Sequence, residues 1–280
     1  MKKFHFISGL PRSGSTLLSA IFRQNPKFHA GMSTPVTAMY RSILSIVSAS
    51  SEFAGQFSSE KRQRLLKGVF ENYYDDSEKD VIFDTGRGWT GHLAGIKTLF
   101  PGSKVICCVR DVAWIMDSME RQFRKDPFEN TRLYNDEIER ASVYSRVNTL
   151  GNHNRMVGSP WTMLKEAYYS EEADSLLLVD YELLSSSPQK VLPLIYEFLG
   201  EEQFDHNFEH VEYDAKEFDA NLGVKDLHKV NGPVHPNKRR TILPPDLFKK
   251  YSEMTFWNDQ KGTKANVIAP KKIESNDKGE

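Results

Sequence analysis

Phe4-His5-Phe6-Ile7-Ser8-Gly9-Leu10-Pro11-Arg12-Ser13-Gly14-Ser15-Thr16, followed by Leu17, Leu18, Ile21 and Phe22, is the stretch that decides the fold. Residues 4–8 alternate and are β-rich, while Leu17, Leu18, Ile21 and Phe22 recur at helical spacing. Between them lies a loop bounded by Gly9 and Gly14, so the segment reads as strand, loop, helix. The backbone N–H groups of such a loop, with a helix N-terminus behind them, can cradle a phosphate. One position departs from the nucleotide-hydrolase pattern G-x-x-x-x-G-K-[ST]: Ser15 stands where lysine would reach the β/γ-phosphates. The cation sits three residues earlier, as Arg12. A plain glycine-bounded turn is the alternative reading of the same residues.

Beyond this segment, apolar runs and helical periodicities alternate. Short buried strands are expected at 28–30, 81–83, 104–109 and 176–179. Helices are expected over 35–48, 59–73, 92–100, around Met119 and Phe123, and over 188–199. Residues 136–170 read as two helices broken near Gly158-Ser159-Pro160. This order predicts an α/β fold: one domain with a central, mainly parallel sheet flanked by helices, of the P-loop-like nucleotide-binding kind. The domain is expected over residues 1–258. From Asp259 the lysine- and asparagine-rich chain reads as a loosely attached tail, 259–280.

Charge narrows the function. Lysine plus arginine (37) nearly balance aspartate plus glutamate (38), which argues against a general nucleic-acid or membrane-surface binder. Locally the balance breaks. Residues 1–51 contain no acid but hold Lys2, Lys3, Arg12, Arg23, Lys27 and Arg41, so this end is prepared for an anion. Adjacent Cys107 and Cys108 should point to opposite faces of a strand, as two buried thiols and not as a disulfide or metal pair. No apolar run approaches the length of a membrane span, and a reducing, cytoplasmic setting is expected.

A second signal is Val105-Ile106-Cys107-Cys108-Val109-Arg110-Asp111, with Ser118 eight residues after Arg110. Arg110 would emerge at the carboxyl end of a strand, where open α/β sheets bind ligands. An Arg110–Asp111 salt bridge or helix cap is the plainer reading.

Together these residues resemble the sulfotransferase superfamily, which uses 3′-phosphoadenosine-5′-phosphosulfate (PAPS). Pro11-Arg12-Ser13-Gly14-Ser15-Thr16 is similar to that family's 5′-phosphosulfate loop, in the arginine-containing form of tyrosylprotein and many bacterial sulfotransferases. Arg110 and Ser118 match the pair that holds the 3′-phosphate. Leu178-Val179-Asp180-Tyr181-Glu182, then Ser187-Pro188 and Phe198-Leu199-Gly200, resembles a further family stretch whose tyrosine lies near the adenine, a role that Tyr181 inherits. The resemblance runs over residues 4–257. It implies Arg12, Ser13, Gly14, Ser15, Thr16, Arg110, Ser118 and Tyr181 as cofactor-binding residues and PAPS as co-substrate, with no metal. It also implies that Arg12 stabilises charge on the leaving phosphate. The late basic loop that closes over PAPS in this family would here be Val224 to Val230. Lys229 and His228 stand there without the usual arginine-lysine-glycine form.

The general base is the gap. A glutamate of the tyrosylprotein enzymes has no counterpart in Gly31-Met32-Ser33-Thr34. The lysine-threonine-histidine of the cytosolic enzymes is replaced by Asp84-Thr85-Gly86-Arg87-Gly88-Trp89. Asp84, at a strand end, is the leading candidate base, with Arg87 as its orienter or as a second cation. A structural Asp84–Arg87 turn is the alternative, and His29 and His92 are lesser candidates. Two other functions compete. An ATP-dependent P-loop kinase would use Asp180 as a Walker-B-like acid, and a non-catalytic nucleotide-binding module would need no base. The acceptor and the oligomeric state carry no signature.

Overall fold

Gly9 ends the first strand with φ +105°, and a Cβ there would stand 2.2 Å from the Cys108 carbonyl oxygen. Glycine alone lets the two central strands approach this closely just before the chain turns into the loop. The computed structural model describes residues 2–49, 51–125, 128, 133–222, 228–236 and 239–270. Its strands are β1 (Lys3–Gly9), β2 (Phe28–His29), β3 (Val81–Thr85), β4 (Val105–Val109), β5 (Leu176–Asp180), β6 (Val211–Tyr213), β7 (Val230–Gly232) and β8 (Asn266–Ile268). The helices in the first half are α1 (Ser15–Phe22), α2 (Val36–Val47), α3 (Ser59–Tyr73), α4 (Leu93–Leu99) and α5 (Val112–Lys125). After them come α6 (Glu137–Arg140), α7 (Val143–Gly151), α8 (Gly158–Tyr168), α9 (Tyr181–Ser186), α10 (Pro188–Leu199), α11 (Lys216–Leu222) and α12 (Pro245–Ser252).

Six strands form one sheet in the order β2-β3-β1-β4-β5-β8, and every neighbouring pair is parallel. β6 and β7 form a separate antiparallel pair. The α/β class and the parallel sheet thus match the sequence reading. Period-two alternation sorts the strand residues between two cores. Phe4, Phe6, Cys107, Leu176 and Leu178 pack on one face; Ile7, Phe83, Cys108, Leu177 and Val179 pack on the other. Cys107 and Cys108 accordingly lie free and buried on opposite faces.

Two expectations need correction. The stretch from Asp259 is not all loosely attached, because Asn266–Ile268 pairs with Leu177–Val179 as the sixth strand. Its approach is tied down by Tyr168, whose hydroxyl donates to the Asp259 carbonyl at 3.1 Å and whose own carbonyl accepts from Thr263. A three-residue edge strand among lysines and asparagines has too short a pattern to read. Residues 271–280 of that stretch lie outside the described residues. The second correction concerns Gly158-Ser159-Pro160, which begins α8 and does not break it; the break is residues 152–157. Pro160 is tolerated in this first turn because its missing N–H has no intrahelical partner there.

The order of strands places the site. The chain leaves β1 toward the β2–β3 side and leaves β4 toward β5, so the crevice between the carboxyl ends of β1 and β4 is a topological switch point. The loop after Gly9 and the residue Arg110 both open into that crevice. Helix α5 runs from it and is anchored by Glu120, which is 1% exposed and accepts from Arg146 of α7 at 2.6 and 2.8 Å. Among the described residues no helix is long and apolar enough to cross a membrane.

Candidate active site

Within the loop the backbone changes hand twice: Arg12 has φ +58° and Gly14 has φ +96°. Such changes of hand can turn successive N–H groups toward one side, a geometry suited to a concave anion nest at the start of α1. Gly14 is required on a second ground, since a Cβ there would lie 2.7 Å from the Tyr181 ring. Ser13 does not face the crevice as expected. Its buried hydroxyl donates to the Leu10 and Cys108 carbonyls and so pins the loop to β4.

A cavity of about 400 Å³ opens over this nest. Arg12, Gly14, Ser15 and Thr16 line it from the loop, Arg110 and Ser118 from β4 and α5, and Tyr181 from the end of β5. The sequence-predicted cofactor-binding residues named here thus meet in one place, Ser13 excepted. Arg12 Nε lies 3.3 Å from Ser118 Oγ, which joins the two sequence signals directly. The Arg110 guanidinium stacks on Tyr181, 4.3 Å from the ring centroid, and its Nε donates to Glu182 at 2.9 Å. The alternative Arg110–Asp111 pairing is not formed. Asp111 caps α5 by accepting from Ala113 N at 2.8 Å.

Lys229 and Arg87 also line the cavity. Arg87 is open to solvent inside it yet surrounded by protein, and this desolvation lowers its pKa. Its guanidinium has no hydrogen-bond or ion-pair partner among the described residues. Burial lowers the Arg12 pKa too, with Arg110 and Arg239 adding repulsion. Arg239 itself escaped the sequence reading as a site residue. It reaches the cavity because Asp117 on α5 holds the 239–242 segment, ion-pairing with Arg239 at 2.9 Å and accepting from Ile242 N at 2.7 Å. Arg239 Nε is buried without a hydrogen-bond partner. Of the late basic loop Val224 to Val230, residues 224–227 lie outside the described residues.

Among the described residues the lining therefore carries five guanidinium or ammonium groups (Arg12, Arg87, Arg110, Lys229 and Arg239) and not one carboxylate. That donor set fits a ligand with several negative charges at more than one position.

Asp84 is a correction. It is 0% exposed and is not part of the cavity lining. Both carboxyl oxygens are occupied: Thr34 Oγ1 and Tyr74 hydroxyl donate at 2.6 Å and Trp89 Nε1 at 2.7 Å. Burial raises its pKa against the pull of those donors. Asp84 is a strut joining three segments, and no proton of an acceptor can reach it. Nor does Arg87 pair with it.

The lesser histidines stand elsewhere: His29 contacts Ser77, and His92 packs on Tyr40. Asp180, the Walker-B-like acid, does not line the cavity. It caps α9 by accepting from Leu183 N at 3.1 Å, and burial raises its pKa to about 6. Among the described residues no group of three or more His, Cys, Asp or Glu side chains is arranged to hold a metal ion.

Over residues 5–206 the sequence matches the model of the sulfotransferase family. Its fold is similar to the sulfotransferase domain of the olefin synthase of Synechococcus PCC 7002, with TM-score 0.54 and 20% identity over 92% of this chain and 97% of that one. The sulfotransferase domain from the curacin biosynthetic pathway matches with TM-score 0.51 and 16% identity, over 91% and 92% of the two chains. A sulfotransferase from Alicyclobacillus acidocaldarius gives TM-score 0.51 and 12% identity, over 80% of this chain and 92% of its own. No curated protein sequence matches significantly.

Proposed function

The chain belongs to the sulfotransferase family, and on that premise we propose that it moves a sulfuryl group from PAPS to an acceptor hydroxyl or amine by in-line displacement. One observation carries the reading: two anion-binding signals far apart in sequence, the loop at Arg12 and the pair Arg110 and Ser118, line one cavity that is rich in cations and, among the described residues, free of carboxylates. PAPS bears a phosphosulfate at one end and a 3′-phosphate at the other, which suits two such subsites. The loop N–H groups with Arg12 would hold the 5′ end. Arg110, Ser118 and Arg239 would hold the 3′-phosphate, with Tyr181 beside the base. Lys229, which also lines the cavity, would serve either end.

The chemistry asked of these residues is electrostatic. Negative charge grows on the 5′-phosphate oxygen as its bond to sulfur breaks. Arginine and backbone N–H donors fixed in place beforehand stabilise that charge without reorganising. The reading assigns no metal, since these donors can take over the neutralising task that magnesium performs for nucleoside triphosphates. A group dedicated to the 3′-phosphate also discriminates against ATP, which has no phosphate at that position to offer Arg110 and Arg239. The carboxyl ends of β2 and β3 contribute Met32, Ser33 and Arg87 on the opposite side of β1 from Arg110 and Tyr181. That half of the cavity is the proposed entrance for the acceptor.

Thermal shift separates this reading from an ATP-dependent kinase. Adenosine 3′,5′-bisphosphate should raise the melting temperature without metal. Stabilisation by ATP with magnesium, and none by the bisphosphate, would overturn it.

A further inference from the structure

His228 lines the cavity beside Lys229 and Val230. Its ring is held from behind by Asp219 of α11, a carboxylate 2% exposed. Asp219 Oδ1 lies 2.6 Å from His228 Nδ1, and its Oδ2 accepts the His228 backbone N–H at 2.9 Å. Two bonds from one carboxylate fix both the main chain and the ring plane, with the Phe218 ring packed edge-on at 5.4 Å. With Nδ1 as donor to Asp219, Nε2 carries the lone pair, and no described residue bonds to it. A buried carboxylate orienting a histidine whose other nitrogen is left for a cavity is the arrangement of an imidazole base.

We propose that His228 is the general base of sulfuryl transfer and that Asp219 is its positioning residue, the role that Asp84 cannot fill. The proposal rests on the PAPS reading above. In the step, Nε2 takes the acceptor's hydroxyl proton as the acceptor oxygen bonds to sulfur. The bond between sulfur and the 5′-phosphate oxygen breaks, and its electron pair stays on that phosphate. Water then removes the proton from the imidazolium, so the sum is alcohol plus PAPS giving sulfate ester, adenosine 3′,5′-bisphosphate and one proton.

The charges around His228 favour the neutral, proton-accepting form. Burial lowers its pKa below 6.5, Arg12 and Arg87 lower it further, and Asp219 opposes them. Arg110, Lys229 and Arg239 are the other cations of the lining. A lowered pKa leaves the ring unprotonated at pH 7, so the rate should rise with pH through that pKa and then level off.

The test uses the full chain with labelled histidine, whose eight side chains are resolved by NMR. The signal absent from His228→Gln identifies the residue. Adenosine 3′,5′-bisphosphate, which brings negative charge into the cavity, should raise the pKa of that signal by about one unit. Asp219→Asn should lower it in the free protein. Both variants should bind the bisphosphate within about twofold of the parent. Turnover of PAPS, with water or a simple alcohol as acceptor, should fall by about 10²- to 10⁴-fold in His228→Gln, with loss of its acidic limb. Bisphosphate binding that leaves the His228 titration unmoved would overturn the proposal, as would near-parental turnover in His228→Gln. Failure of the parent to bind the bisphosphate at all would instead remove the PAPS reading beneath it.

Discussion

Replacing Arg12 by glycine and by alanine should separate what its side chain does from what its backbone costs. Arg12 is the one described residue other than glycine with positive φ, at +58°. An L-residue in this region is disfavoured by about 1–2 kcal/mol, a penalty glycine escapes. Glycine in turn loses about 0.4–1 kcal/mol through the greater freedom of its unfolded chain. Both variants remove the guanidinium and its contact with Ser118 Oγ, so those losses cancel between them. Arg12→Gly should therefore be the more stable by about 0.5–1 kcal/mol, or about 1–4 °C in melting temperature for a chain of this size. The two should be alike in binding. A hydrogen bond to a charged group contributes about 1.5–3 kcal/mol, so affinity for adenosine 3′,5′-bisphosphate should drop by roughly 10- to 100-fold in each. Calorimetric titration and differential scanning calorimetry read the two effects on the same samples. If Arg12→Ala is at least as stable as Arg12→Gly, the loop is not held in the left-handed form. If either binds the bisphosphate like the parent, Arg12 does not hold a phosphate.

The remaining predictions concern Arg110, Asp84 and the last strand. Arg110→Ala should weaken the 3′,5′-bisphosphate by roughly 10- to 100-fold while hardly affecting adenosine 5′-phosphate; equal losses for both would end the 3′-phosphate assignment. Asp84→Asn sets an amide NH₂ either against the Trp89 N–H or against the Thr34 and Tyr74 hydroxyls and should cost about 1–3 kcal/mol of stability, seen in urea denaturation, with bisphosphate affinity within twofold. A stable Asp84→Asn that abolishes turnover would return Asp84 to the chemistry. Ending the chain after Asn258 deletes β8 with its half-buried Val267 and Ile268. That should cost about 2 kcal/mol, whereas an unchanged melting temperature would mean the sixth strand contributes nothing.

What the sequence disclosed and what it withheld divide along the range of the interactions. Gly9, Arg12, Gly14 and Arg110 are legible because each does its work within a few residues of a strand end, where the apolar run, the turn and the cation are read together. Their convergence follows from a parallel sheet, which brings the carboxyl ends of β1 and β4 side by side however far apart they are in the chain. Asp84 shows the limit of that logic. As an acid at a strand end it satisfies the same rule as Arg110. Yet its fate is set by Thr34 and Tyr74, donors from two other segments that no local pattern connects to it, together with Trp89 five residues on. Asp219 and His228 lie nine residues apart in the chain, and Arg239 is drawn in by Asp117 from a helix more than a hundred residues earlier. A carboxylate becomes a strut when donors saturate it away from the cavity, and an orienter when it grips a ring that faces the cavity. Residue type gives the capacity for either role; the count and direction of tertiary donors choose between them.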